Sequence, residues 1–231
     1  MSEVVDFVEA LRRFCKMPDV FNPWRDRDRD HDARPNAADI RAEHLHRYLS
    51  ERISSTGMVL LAEAPGFQGC HFSGIPMTSE RILLGHHRHN DIHPEDVTHA
   101  ACAQTSKHLP QGANEPTATI VWKTMKQAGI DTRSVVLWNA FAFHPMNGSY
   151  LTNRKPAPEE LKKNRRLLEQ FLALFPNRPL VPVGRVAEEV LGEMGKAHLP
   201  YLRHPANGGA GAFSSGLKAL SGKTLRPCPS A

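Results

Sequence analysis

The sequence predicts an α/β fold built on a short, mainly parallel, four-stranded sheet with helices over both faces. Three observations carry that expectation. Short apolar runs at Met58–Leu61, Ser134–Asn139, Leu180–Val183 and Leu199–Arg203 have the length and continuity of strands buried on both sides. Amphipathic helical stretches stand between them, as parallel connections require. Each run ends in a polar or glycine-bearing turn, the position where open α/β sheets bind ligands. The 231 residues are 40% apolar, enough to bury a substantial core. With no repeat, low-complexity tract or linker, they read as one domain, 1–231, with 1–55 a helical extension packed on it.

Taken in order, Val4–Cys15 has a helical stripe of Val5, Phe7, Val8, Leu11 and Phe14, broken at Phe21-Asn22-Pro23-Trp24. Arg25–Asp32, RDRDRDHD, alternates sign, so its acids offset its arginines and it reads as a solvated, self-paired loop. Asn36–Ile53 is helical and delivers the chain to the first strand. After that strand, Ala64-Pro65-Gly66 stops the ladder abruptly, and a loop rich in small residues leads to Thr78 and Ser79, which can cap a helix from Glu80. The histidines of His86–His93 point in different directions and have no second ligand cluster beside them. They read as a polar surface loop, with no metal site. Thr117–Gln127 is a helix stopped by Gly129, and Pro156–Phe175 is a strongly amphipathic one. Helices at Val186–Glu193 and from Ala210 complete the alternation.

Charge and cysteines narrow the class. The formal charge is +5 with thirteen histidines left neutral, a modest lean toward an anionic partner. The N-terminus reads as neither signal peptide nor membrane span, no run is long enough to cross a bilayer, and a cytoplasmic protein is expected. Cys15, Cys70, Cys102 and Cys228 are scattered, without the C-x-x-C spacing of a zinc or iron–sulfur site, and read as free thiols.

Three of the strand-end loops read AEAPGFQGCHFSGIPMTSE, NAFAFHP and RHPANGG. That set, in that order, resembles the uracil-DNA glycosylase superfamily over most of the chain from Met58 onward. AEAPG is similar to the first motif of its bacterial branches, SGIPMT to the stretch that supplies a base-stacking side chain, and HPANGG to the closing motif. The resemblance implies a three-layer α/β/α sandwich and an enzyme that flips a nucleotide from DNA and hydrolyses its base–sugar bond. It implies DNA as the partner, no cofactor, a monomer, and a bacterial cytoplasmic setting on the nucleoid. The paired cysteines of the iron–sulfur branch are absent here, so no cluster is expected.

The resemblance also suggests roles. His204 matches the donor that meets the departing base oxygen, where negative charge develops. Asn139 matches the base-reading amide; its adjacent donor and acceptor can complement uracil or, reversed, cytosine. Glu63 is the acid of the first motif, expected to orient water and stabilise the cationic sugar. One branch has an aspartate where this chain has Ala64, and Glu63 lies one place earlier, as in the iron–sulfur branch. Met77 occupies the place of a stacking Phe; either Phe67 or Phe72 supplies the platform, or the pocket takes a larger base. Phe141 and Phe143 read as core and His144 as a rim residue. Asn207, Gly208, Gly209, Ser73 and Arg203 are candidates for DNA contact, Asn207 as a wedge. Uracil in DNA is the leading substrate. A bulky modified pyrimidine of phage DNA, a non-cleaving binding module and an unrelated hydrolase are the competing readings.

Overall fold

The computed structural model describes residues 2–54 and 57–224, with side chains through 221. Helix α1 (Glu3–Arg13) is capped by the Ser2 hydroxyl, carries acids in its first turn and buries Val4, Phe7, Val8 and Leu11. Strand β1 (Val20–Phe21) and helix α2 (Ala37–Ser50) follow, then β2 (Met58–Ala62). Three one-turn helices come next: α3 (Cys70–Ser73), α4 (Glu80–Leu83) and α5 (Pro94–Val97). Helix α6 (Pro116–Gln127) leads to β3 (Val135–Asn139) and β4 (His144–Pro145). The chain then runs through α7 (Pro158–Leu174), β5 (Leu180–Pro182), α8 (Arg185–Glu193) and α9 (Ala210–Thr224).

The main sheet is parallel, in the order β3-β2-β5, and every residue of β2 and β3 is buried. Its register pairs Leu60 with Leu137 on one side and with Val181 on the other. Four strands were expected and three form. The fourth segment runs beside β5 but makes a single parallel bridge, Val183 to Leu202. Leu199 N–H donates to Leu180 O at 2.9 Å and Leu202 N–H to Pro182 O at 2.8 Å. Pro182 and Pro200 supply no N–H, so a continuous ladder cannot close there. The open edge of β3 is covered instead by α2 and the turn after it: Leu137 N–H donates to Tyr48 Oη at 2.7 Å and Arg52 Nε donates to Val135 O at 3.0 Å.

Trp138 of β3 stacks on Phe171 of α7, ring centroids 4.4 Å apart, and on Trp24 at 5.9 Å, while Phe7 of α1 packs on it at 5.4 Å. The N-terminal helix is thus part of the layer over that strand. Helices α6 and α9 pack on each other, joined by Thr124 and Ser214 hydroxyls 2.8 Å apart. Phe141 and Phe143 lie in the core.

The alternating run 25–32 is not a solvated loop. Asp28 and Asp32 are buried, and Asp32 pairs with the buried Arg41 at 2.6 Å. Arg41 Nε also donates to Pro23 O and its Nη2 to Asp26 O. Arg27, Arg29 and Asp30 are exposed, while Asp28 and Asp32 face inward and meet donors. The two-residue strands β1 and β4 pair antiparallel, Phe21 with His144, and bring that run against the loop after β3. Within His86–His93, His87 is buried and bonded to Asn114 at 2.7 Å, and the neighbouring histidines are partly or fully exposed.

Candidate active site

Because β2, β3 and β5 run parallel and in register, their C-terminal ends share one edge. Glu63 follows β2, Asn139 ends β3 opposite Ala62, and Gly184 follows β5 beside the Arg203–His204 turn. A cavity of about 750 Å³ opens there, and Glu63, Ala64, Arg203, His204 and Asn207 line it together.

His204 is half-buried. Its Nδ1 accepts the Ala206 N–H at 3.2 Å, which leaves the neutral ring's proton on Nε2 as the free donor. Burial, and then the neighbouring Arg203, lower its proton affinity and favour that neutral form. Gly209 closes the turn: a Cβ there would lie 2.0 Å from the His204 carbonyl oxygen. Gly209 is therefore a buried structural residue, whereas Gly208 is exposed at φ 76° and Asn207 is exposed at φ 53°.

Glu63 is also half-buried. Burial raises its carboxyl above the ordinary value and Lys155 pulls the other way. Beside it, Asn139 is 1% exposed, and neither Nδ2 nor Oδ1 finds a partner among the described residues. Asn139 does not itself line the cavity. The backbone ties it there closely: Ala140 N–H donates to Ala62 O at 2.8 Å and Phe141 N–H to Glu63 O at 2.9 Å. A buried amide without a partner is costly, about 1–3 kcal/mol.

Five residues expected at the site do not line the cavity. Met77 is buried at φ 49° with its carbonyl accepting Trp122 Nε1 at 3.1 Å, and it does not face the cavity. Phe72 is buried edge-on against His71. Ser73 is fully buried; its hydroxyl donates to Thr78 O at 2.6 Å and accepts Ile75 N–H at 3.0 Å, so it has no face for a phosphate. Phe67 is half-buried and lines neither this cavity nor its neighbour, its N–H held by Asn153 Oδ1 at 3.0 Å. His144, expected at a rim, is fully buried.

Two residues that line the cavity carried no sequence signal of their own. Asn153 precedes α7. Glu115 stands at the residue before α6; one of its oxygens is buried without a partner, and burial pushes its carboxyl up to about 7. A Cβ on Gly69 would lie 2.1 Å from that oxygen. The glycine was readable in the sequence; the carboxyl that needs its space was not. Lys155, Arg185 and Arg203 line the cavity as well, Arg185 lying over the Tyr201 ring at 4.9 Å, and Arg154 there is bound by Glu160. Among the described residues no group of three His, Cys, Asp or Glu could hold a metal. Cys228 lies outside them.

A deep crevice at the carboxyl edge of an open parallel sheet, with a carboxylate and an imidazole facing one space, defines a ligand-binding α/β protein equipped for acid–base work. Its family follows from comparison with known proteins. The sequence profile described as the uracil DNA glycosylase superfamily matches residues 52–220, and the chain belongs to that superfamily of DNA glycosylases. Among solved structures, wild-type SMUG2 of Pedobacter heparinus superposes over 96% of this chain and all of that one, with a TM-score of 0.59 and 14% identity. That likeness is one of fold. No curated protein matches in sequence. Among the described residues no helix is long and apolar enough to cross a membrane.

Proposed function

We propose that this protein hydrolyses the N-glycosidic bond of a pyrimidine, uracil foremost, turned out of DNA into the cavity. The observation that carries this reading is the shared cavity of Glu63 and His204 with the unpaired Asn139 amide beside it. As the bond from C1′ to the base nitrogen breaks, its electron pair leaves with the base. His204 Nε2–H then bonds the base oxygen as that oxygen becomes anionic. Glu63 orients a water whose oxygen bonds C1′, takes up the water's proton, and opposes the positive charge on the sugar. Asn139, sealed beside the cavity and not lining it, reads the base edge with its donor and acceptor once the base opens that wall. Arg203, Lys155 and Arg185 give the cavity mouth the positive charge that a phosphate backbone requires.

The product is an intact abasic site, so borohydride should trap no covalent adduct at Lys155; trapping would overturn that part. Release of free base from a uracil-containing oligonucleotide tests the whole. It should fall by about 10²–10³ in His204→Ala, the cost of one lost donor to a developing oxyanion. An unchanged rate in that variant would sink the reading.

One observation favours a bulkier substrate. An adjoining cavity of about 390 Å³ shares Gly66, Glu115, Asn153 and Asn207 with the first, and neither Met77 nor Phe72 narrows either one. A pyrimidine with a large hydrophilic substituent, as in modified phage DNA, would then be the natural substrate and defence the natural role. Faster release from such DNA than from uracil DNA, in one preparation, decides between the two.

A further inference from the structure

A buried chain of polar side chains leads from the run 25–32 to the cavity wall. Asp28 Oδ2 lies 3.2 Å from His71 Nε2. His71 Nδ1 lies 3.2 Å from His144 Nδ1. His144 Nε2 lies 2.8 Å from Thr152 O and 3.1 Å from Asn153 Oδ1. Asp28, His71 and His144 are all fully buried. Both ends of the chain are acceptors, because a carboxylate and a carbonyl have no proton to give. Each histidine must therefore carry its proton on Nε2. The two Nδ1 atoms then face each other, and that gap holds either a third proton or two opposed lone pairs.

We propose that Asn153 presents an N–H donor to the ligand of this cavity, held in that orientation by a chain in which His71 and His144 share a bridging proton whose counter-ion is Asp28. The amide's sense follows from its partners. Asn153 Oδ1 accepts from both Phe67 N–H and His144 Nε2–H, so Nδ2 is its free end, and Asn153 lines both the main cavity and its annex. The surroundings of the rings suit one positive charge. Asp28 is held ionised: burial pushes it up, but bonds from His71 and His31 outweigh that and bring it down to about 2. Phe21 stacks on His71 with centroids 4.1 Å apart, a face that attracts a cation. The nearby cations are already paired, Arg41 with Asp32 and Arg154 with Glu160, and the Tyr150 ring lies 6.2 Å from His71. Burial of both rings opposes the charge, lowering His144 and bringing His71 down to about 3, while the acceptors at both ends of the chain favour it. Asn153 and the histidine pair are positioning and recognition elements; the cavity role rests on the function proposed above, whereas the proton count stands without it.

Two measurements test this. In ¹⁵N-histidine-labelled protein at about pH 8, above the ordinary histidine value of about 6.5, one ring should keep both nitrogens protonated, and the signal should vanish in Asp28→Asn. If Asp28→Asn does not fold, His144→Gln removes the bridging nitrogen while keeping a donor toward Thr152, with the same loss expected. All rings neutral at that pH in the parent protein would overturn the shared proton. For the amide, the Asn153 side-chain N–H signals should shift on addition of free uracil or free cytosine; no shift with either overturns its role, whether or not DNA is cleaved. Where base release occurs, Asn153→Asp should lower kcat/KM about tenfold, the worth of one hydrogen bond, with the histidine spectrum kept. Parent-level kcat/KM there also overturns it, while a parent protein that releases no base from any DNA defeats the proposed function alone.

Discussion

The His204 turn and the segment from Phe72 to Thr78 are both rich in small residues and both sit beside a glycine-bearing bend, yet they are built on opposite plans. The first is partly exposed and spends few hydrogen bonds on itself, leaving the His204 Nε2 proton and Asn207 open to the cavity. The second is buried throughout and spends its polar groups inward: Ser73 on Thr78 and Ile75, Thr78 on Pro76 and Trp122, and the Ser73 carbonyl on His44 Nδ1. One loop is kept available and the other is scaffold. Small residues serve access in one case and close packing in the other, and only burial tells them apart.

Four substitutions sharpen or break that contrast. Glu63→Gln should lower base release about 10²–10⁴-fold, the usual worth of a positioned base. Glu63 is needed ionised, and burial raises it. The parent's activity should therefore fall, as pH drops, at a higher pH than the ordinary glutamate value of about 4.3, and this acid limb should be missing in the variant. A limb that survives in Glu63→Gln assigns the titration elsewhere. Next is Asn139→Leu, similar in shape but without the orphaned amide. It should abolish base release while raising stability by on the order of 1–3 kcal/mol, read by thermal melting; a lowered Tm would mean that the amide is a structural bond after all. On the scaffold side, Ser73→Ala should cost about 1–3 kcal/mol through the unpaired Ile75 N–H and Thr78 carbonyl and leave base release per folded molecule unchanged. Weaker DNA binding at full stability would return Ser73 to the interface. The smallest effect belongs to Arg203→Ala: uniformly weaker binding across sequences and a salt dependence shallower by about one unit.

The sequence was most informative where one physical cause acted alone. Continuous apolar runs predicted β2 and β3 because both are buried on every side. The fourth strand was overdrawn because apolar content does not show that Pro182 and Pro200 withhold donors. Helices of four residues and strands of two have no period to read, so α3, α5 and the β1–β4 pair were invisible. In the site, Glu63 and Ala64 were legible because they follow β2 by a residue or two, and Arg203, His204 and Asn207 because the segment before them, though not a full strand, still runs beside β5 as far as Leu202. Asn153 and Glu115 arrive by tertiary packing from long connections. Asp28 was hidden by its own neighbours, since the arginines beside it made the run look fully hydrated.

The chain's three tryptophans, Trp24, Trp122 and Trp138, are all at most 1% exposed, and none lines the cavity. Native fluorescence should accordingly be blue-shifted, and its red shift on denaturation gives a label-free probe of unfolding for every variant named above. A bound oligonucleotide has no direct contact through which to quench that emission. Any change in the spectrum on titration with DNA would therefore signal a rearrangement of the interior, transmitted from the cavity to indoles that the nucleic acid never touches.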